Sequence, residues 1–225
     1  MNRKKFSRRA VQLPRRDPRT PAPRGKNARA QRSAERRDAI LAAAIEEFSD
    51  QGFAATRLED VARRAGVAKG TIYLHFRDKE SLFQELIRTM LTPVVGSIEA
   101  LRDADVPLRV LADRLVDLFV NEIFSTRRRD VIRLMLLEGR RFPKLAEFYY
   151  REVLSRILGA MRTLLERAAA RGEVPASLAR FPQLLAAPGL VAVVWSGLFD
   201  RFEALDVGAL MKAHLDLLFS QRSAS

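Results

Sequence analysis

The sequence predicts an all-α protein, an N-terminal three-helix domain of the helix-turn-helix kind followed by a larger C-terminal helical bundle, about nine helices in all. Three observations predict it. From Glu35 onward Ala, Leu, Arg and Glu dominate, and these are strong helix formers. No stretch alternates apolar and polar residues strictly enough for a strand. Apolar residues instead recur at helical spacing between breaks at Gly52, Gly66, Pro93, Pro107, Pro143, Gly172, Pro175 and Pro182.

Composition narrows the function. The chain has 225 residues, 48% of them apolar, enough for a sizeable core. The absence of cysteine excludes disulfides, thiolate metal sites and a cysteine nucleophile. The longest apolar run, from Leu184 to Leu198, is about fifteen residues and contains Pro188 and Gly189, short of a membrane span. The formal charge of +13 is unevenly spread. Residues 1–34 hold twelve Lys and Arg against the single acid Asp17, so the remaining 191 residues carry 28 basic and 26 acidic side chains. A nearly neutral body therefore follows a basic leader.

The leader contains Pro14, Pro18, Pro21 and Pro23 and few large apolar groups, so it is expected to be disordered. Its "FSRRAVQL" has the paired arginines of an export signal but lacks the apolar stretch that must follow. The prolines also spoil the amphipathic helix of a transit peptide, which leaves a cytoplasmic protein. A basic arm lying along DNA phosphates or in a minor groove, or a solubilising tail, are the remaining readings. The division is a basic arm over 1–33, a first helical domain over 34–92 and a larger helical domain over 93–225.

The first helix is expected over Glu35–Gln51, with Ile40, Leu41, Ala44, Ile45 and Phe48 on its buried stripe and Gly52 as its stop. Next comes "TRLE", Thr56 to Glu59, which has the spacing of a capping box and opens a second helix buried through Leu58, Val61, Ala62 and Ala65. Gly66 ends that helix, and a third runs over Lys69–Phe76. On it Ile72 and Phe76 face inward, leaving Lys69, Thr71, Tyr73 and His75 elsewhere on the surface with Gly70 permitting close approach. Lysine can pair guanine O6 and N7, threonine can meet a thymine methyl, and tyrosine or histidine can donate to phosphate. A phosphate-binding loop is a poor fit to "AGVAKGT", because the glycine and lysine are in the wrong order and no strand precedes them. The two histidines, His75 and His214, lie far apart, and no nucleophile elbow or zinc-protease pair occurs, so no enzyme, cofactor or metal site is expected.

The segment "GFAATRLEDVARRAGVAKGTIYLHFRDKESLF", Gly52 to Phe83, resembles the DNA-binding domain of the TetR family of bacterial transcription regulators. The matching features are Gly52 with Phe53, the threonine opening the second helix, "AGV" at the turn, "KGT-Y-HF" on the third helix and "K-E-LF" opening the fourth. The likeness covers about Ala34 to Leu91. It implies DNA contacts from Thr56, Lys69, Thr71, Tyr73, His75 and Lys79, with Gly70 allowing approach. Two departures from the family pattern are Ala68, where a serine is frequent, and Arg57, where a second threonine is frequent and which could add a phosphate contact.

Helices in the C-terminal part are expected at about Leu108–Phe124, Arg127–Glu138, Lys144–Arg171, Leu178–Phe202 and Val207–Phe219. Phe119, Phe124, Met135, Phe148, Tyr149, Met161, Trp195 and Phe199 lie along them as core, or in part as the lining of an apolar cavity with Asn121 and Arg133 as polar anchors. The helix "LLAAPGLVAVVWSGLF" is too apolar for one buried stripe and is expected to pair with "VGALMKAHLDLLF" in a twofold four-helix interface. The whole reads as a homodimeric repressor of an inverted-repeat operator, responsive to a small apolar or aromatic effector. The alternative is a dimeric sensing or protein-interaction module with weak DNA binding.

Overall fold

The computed structural model describes residues 24–220. Among them the chain is helical throughout, with eleven α-helices and two π-helical segments and no strand. Helix α1 runs Arg24–Ala55, so residues 24–33 are helical where disorder was expected. The reason is local: no proline occurs after Pro23 until Pro93, and Ala28, Ala30 and Ala34 alternate with long straight side chains. Within this stretch Gln31 donates to Glu35 at 3.2 Å and Arg32 to the carbonyl of Ala28 at 3.1 Å. The rest of the expected arm, residues 1–23, lies outside the described residues.

Gly52 interrupts α1 with φ of 78°, a left-handed conformation that favours glycine. After it α2 spans Leu58–Arg64 and α3 spans Lys69–His75, separated by a four-residue turn. That turn closes as a Schellman motif. Gly66 at φ 66° donates to Arg63 O at 3.2 Å, and Val67 donates to Ala62 O at 3.0 Å.

Helix α4, Lys79–Leu101, passes without a break through the expected domain boundary at 92/93, with Pro93 inside it. Pro93, a break in the sequence pattern, does not end the helix because it sits on an exposed face, where loss of one backbone bond can be hydrated. The bundle continues with α5 (Leu108–Leu118), a π-helical extension over Phe119–Phe124, α6 (Arg128–Glu138) and α7 (Pro143–Tyr149). A second π-helical stretch, Tyr150–Leu154, leads into α8 (Ser155–Ala170). The short α9 (Ala176–Ala179), α10 (Gln183–Leu198) and α11 (Val207–Ser220) complete it.

Two apolar cores result. The first joins α1 to α4 with Val131, Leu134 and Met135 of α6 and Leu145, Phe148 and Tyr149 of α7. Its centre is aromatic: Phe53 lies 5.4 Å from both Phe48 and Phe83 and 4.7 Å from Phe142, ring centre to ring centre. The second holds the bundle, from Val94 and Ile98 through Leu108, Leu111, Leu164 and Leu165 to Met211 and Leu215. Phe83 is wholly buried and touches Phe48 edge-on at 5.3 Å. Phe83→Ala should therefore lower the unfolding free energy by about 3–5 kcal/mol. A fall in the urea midpoint at constant slope would show it.

Candidate nucleic-acid interface

Every donor at the start of a short helix needs a partner, and the reading head supplies them unequally. Helix α3 begins at Ala68 with no side-chain cap, as the missing serine implied. The capping box expected at Thr56 and Glu59 does not form. Arg57 occupies the cap position of α2 without a side-chain bond, and the box appears instead at α4, where Asp78 accepts from Ser81 N at 2.7 Å and Ser81 Oγ accepts from Asp78 N at 3.2 Å. The bonds to Ser81 hold the Asp78 carboxyl below its usual range.

Thr56 is 2% exposed, and its hydroxyl donates to Gly52 O at 2.8 Å. The hydroxyl of this expected DNA contact is used inside the fold, where it closes the end of α1. Lys79, another expected DNA contact, likewise finds its partners inside the fold. Its ammonium turns inward, donating to Phe53 O and Ala54 O at 2.8 Å each and to Thr56 O at 3.2 Å, and sits 4.9 Å from the centre of the Phe53 ring. Burial pushes the Lys79 amine below its ordinary value. Backbone carbonyls left free by the Gly52 break attract the cation more closely than solvent does.

The other head residues face outward. Lys69, Gly70 and Tyr73 are exposed on α3, Thr71 and His75 are half-buried on the same helix, and Arg57 is exposed beside them in sequence at the mouth of α2. A Cβ on Gly70 would meet nothing within 4 Å, so the helix start is open to approach. Ile72 is fully buried and Phe76 nearly so, as the spacing predicts. Two further surface residues belong to the head, one without a role in the sequence pattern and one expected there only as a cap. Leu74 is 85% exposed, an apolar side chain between Tyr73 and His75 that can meet a thymine methyl; its two-residue offset from both inward anchors was the available signal. Glu59, on α2, accepts from Lys69 Nζ and from the Tyr73 hydroxyl, each at 3.0 Å and both on Oε1. The Lys69 bond, its own backbone and Tyr73 together hold the Glu59 carboxyl far below the usual range, at about 2.

The expected ligand-lining residues are not gathered at one place. Met135, Phe148 and Tyr149 are buried in the first core, while Phe119 and Phe124 pack against the second. Asn121 is exposed. Trp195 and Phe199 meet edge-to-face at 5.2 Å on α10, with Phe199 itself exposed. Arg133 alone of the set lines an open cleft of about 660 Å³, whose other walls, including Ser49, Asp50, Thr126 and Arg127, are polar. Aromatic stripes at helical spacing were mostly packing here. The one local convergence is under α10, where Phe119 lies against Gly189 and Arg133 against Gly197 so closely that a Cβ on either glycine would come within 2.9 Å.

Residues 40–86 match the model for bacterial regulatory proteins of the tetR family, and residues 108–204 match the Tetracyclin repressor-like C-terminal domain. The HTH-type transcriptional regulator AcrR of Shigella flexneri is 35% identical over 108 residues, 47% of this chain and 50% of that protein. The HTH-type transcriptional repressor BepR of Brucella suis biovar 1 is 32% identical over 150 residues, 63% of this chain and 70% of BepR. The chain spans about half the length of several of the curated relatives it matches, AcrR among them. In fold it is similar to SmeT, the repressor of the Stenotrophomonas maltophilia multidrug efflux pump SmeDEF, solved as a complex with triclosan. That likeness has a TM-score of 0.68 at 22% identity and covers 83% of this chain and 91% of SmeT.

The inward Lys79 generates a test. Lys79→Ala leaves three carbonyls at the end of α1 without their cation and should cost about 1–3 kcal/mol of stability, the scale of hydrogen bonds to a charged group. A loss confined to DNA affinity, with the unfolding midpoint unmoved, would contradict the capping role.

Proposed function

Since the chain belongs to the tetR family of bacterial regulatory proteins, we propose that it is a homodimeric, ligand-responsive repressor, not an enzyme, that binds an inverted-repeat operator in duplex DNA. The observation that carries this reading is α3 itself. Its buried Ile72 fixes the helix on the core while Lys69, Gly70, Thr71, Tyr73, Leu74 and His75 remain on the surface around its N-terminal turns. A helix of that kind enters a major groove with its first residues against base edges, and Arg57 is free to meet a flanking phosphate.

One seven-residue helix touches few base pairs, so specificity calls for two. The bundle supplies the means. On α10 Leu184, Leu190, Val191, Val194 and Leu198 are 40–58% exposed and fall along one helical stripe, and Leu217 of α11 is 68% exposed. A second copy related by a twofold would cover this apolar face. The regulator works in the cytoplasm, with no helix among the described residues long and apolar enough to cross a membrane.

The effector is a small apolar or aromatic molecule, taken between α10 and the Phe119 and Arg133 side chains it now clasps. SmeT's complex with triclosan is the precedent for the fold. Wedging those helices apart shifts α6, and α6 shares the first core with the reading head. Affinity for DNA then falls by the difference in effector binding between the two arrangements.

Selection from random duplexes should recover an inverted repeat with half-sites about 34–36 Å apart, bound by two protomers in sedimentation. The pair Lys69→Ala and Tyr73→Ala should lose about 1–3 kcal/mol for each base contact removed. No symmetric preference in the wild type would overturn the reading. We also propose that the basic arm lies on DNA. Removing residues 1–30 should flatten the plot of log K against log salt by about 0.9 per phosphate no longer neutralised. An unaltered slope would make the arm a solubilising tail.

A further inference from the structure

Lys69 and Tyr73 sit one turn apart on α3, and both are assigned above to DNA. In the free protein their polar ends already converge on a single oxygen, Glu59 Oε1, at 3.0 Å each. The carboxylate is not buried: its side chain keeps 40% of its exposure and that of Lys69 68%. It lies in the first turn of α2, where the helix end favours an anion. A fixed negative charge therefore stands on the surface that would approach phosphates.

We infer that Glu59 is a specificity-determining residue, an intramolecular stand-in for DNA that holds the two reading side chains and must be displaced before they can engage a duplex. The inference rests on the DNA-binding reading above. Its logic is an exchange. Lys69 and Tyr73 give up a carboxylate acceptor and must find acceptors on DNA, while Glu59, losing both donors, is left facing a polyanion. An operator that offers a base acceptor to Lys69 and a phosphate or base acceptor to Tyr73 at the right spacing replaces both bonds. A random sequence offers phosphates alone, in poor register, and meets the uncompensated carboxylate. Glu59 thus weakens every complex but weakens the wrong ones more. At long range it also cancels the Lys69 charge, so the lysine contributes little to non-specific attraction. The carboxyl stays ionised down to a pH near 2, so the device operates unchanged through neutral pH.

The alternative role for Glu59 is purely structural, a brace between α2 and α3. The two differ in sign. Glu59→Gln preserves shape and one acceptor while removing the charge. Binding of the wild-type and variant homologous full chains is compared on the selected operator and on a scrambled duplex of equal length, across a salt series. Expected for Glu59→Gln are about tenfold tighter binding to the scrambled duplex, a smaller gain on the operator, and a salt slope steeper by about 0.9, one additional neutralised phosphate. Glu59→Ala should move all three in the same direction, and Glu59→Asp, which keeps the charge, should leave the salt slope at the wild-type value. An unchanged ratio of operator to scrambled affinity, or parallel weakening on both duplexes, would overturn the inference and leave Glu59 a brace. If the wild type shows no operator preference at all, it is the DNA-binding reading that fails, and that outcome is visible before any variant is made.

Discussion

Three backbone carbonyls, those of Phe53, Ala54 and Thr56, converge on the ammonium of Lys79, and the geometry of the reading head follows from that junction. Gly52 turns the chain out of α1 with a positive φ, which leaves helix-end carbonyls unpaired in a partly buried place. Lys79 is the first residue of α4. Its bonds therefore bring the end of α1 and the start of α4 within one side chain of each other, and residues 57–78, which hold α2 and α3, form a closed excursion between two pinned points. The Phe53 ring under the same ammonium extends the junction into the aromatic cluster with Phe48, Phe83 and Phe142. A lysine at this point acts as a staple, because an orphaned, partly buried carbonyl would cost its full desolvation.

Charge in the body is placed rather than accumulated. Apart from the leader the chain is nearly neutral, so attraction to a duplex cannot come from bulk charge alone. Arg64 of α2 is committed to α1, with Glu47 at 2.8 Å and Asp50 at 2.7 Å, and this pairing raises its already high pKa. Lys69 is committed to Glu59. Arg57 makes no side-chain cap bond at the start of α2 and is exposed. The head thus presents few free cations, and those it presents are positioned by helix starts. On the proposed reading, such a surface would favour a duplex that matches donor positions over one that is merely anionic.

Much of this architecture was readable in the sequence because it rests on backbone rules. Gly52 and Gly66 stop helices by adopting left-handed conformations, the apolar spacing of Ile72 and Phe76 seats α3, and the aromatic and aliphatic stripes bury as their periods require. Polar groups were the least legible, because their partners are distant in sequence or ambiguous in kind. Thr56 had the spacing of a cap, but a carbonyl four residues back competed for its hydroxyl and won. Lys79 lies more than twenty residues from the carbonyls it binds, beyond the range of any local pattern. Helix spacing shows that Met135, Phe148 and Tyr149 face inward but not which core they enter, and they enter the one shared with the head. The helical residues 24–33 were hidden by the composition of the prolines that precede them.

That shared core also decides how a signal could travel. No flexible linker separates the head from the bundle, because α4 belongs to both, its N-terminal half in the first core and Val94 and Ile98 in the second. Pro93 has no amide to give, so the carbonyl of Thr89 loses its helical partner at that turn. One residue on, the carbonyl of Met90 accepts from Arg128 Nε at 2.7 Å, and Arg128 opens α6. At its other end α6 leads to Phe142, packed on Phe53 at 4.7 Å. A shift of α6 would therefore act on α4 at the Met90 carbonyl and on the end of α1 through Phe142. Packed helices move as rigid bodies between discrete arrangements, so a small displacement under α10 would reach α3 as a change of angle and not be absorbed along the way.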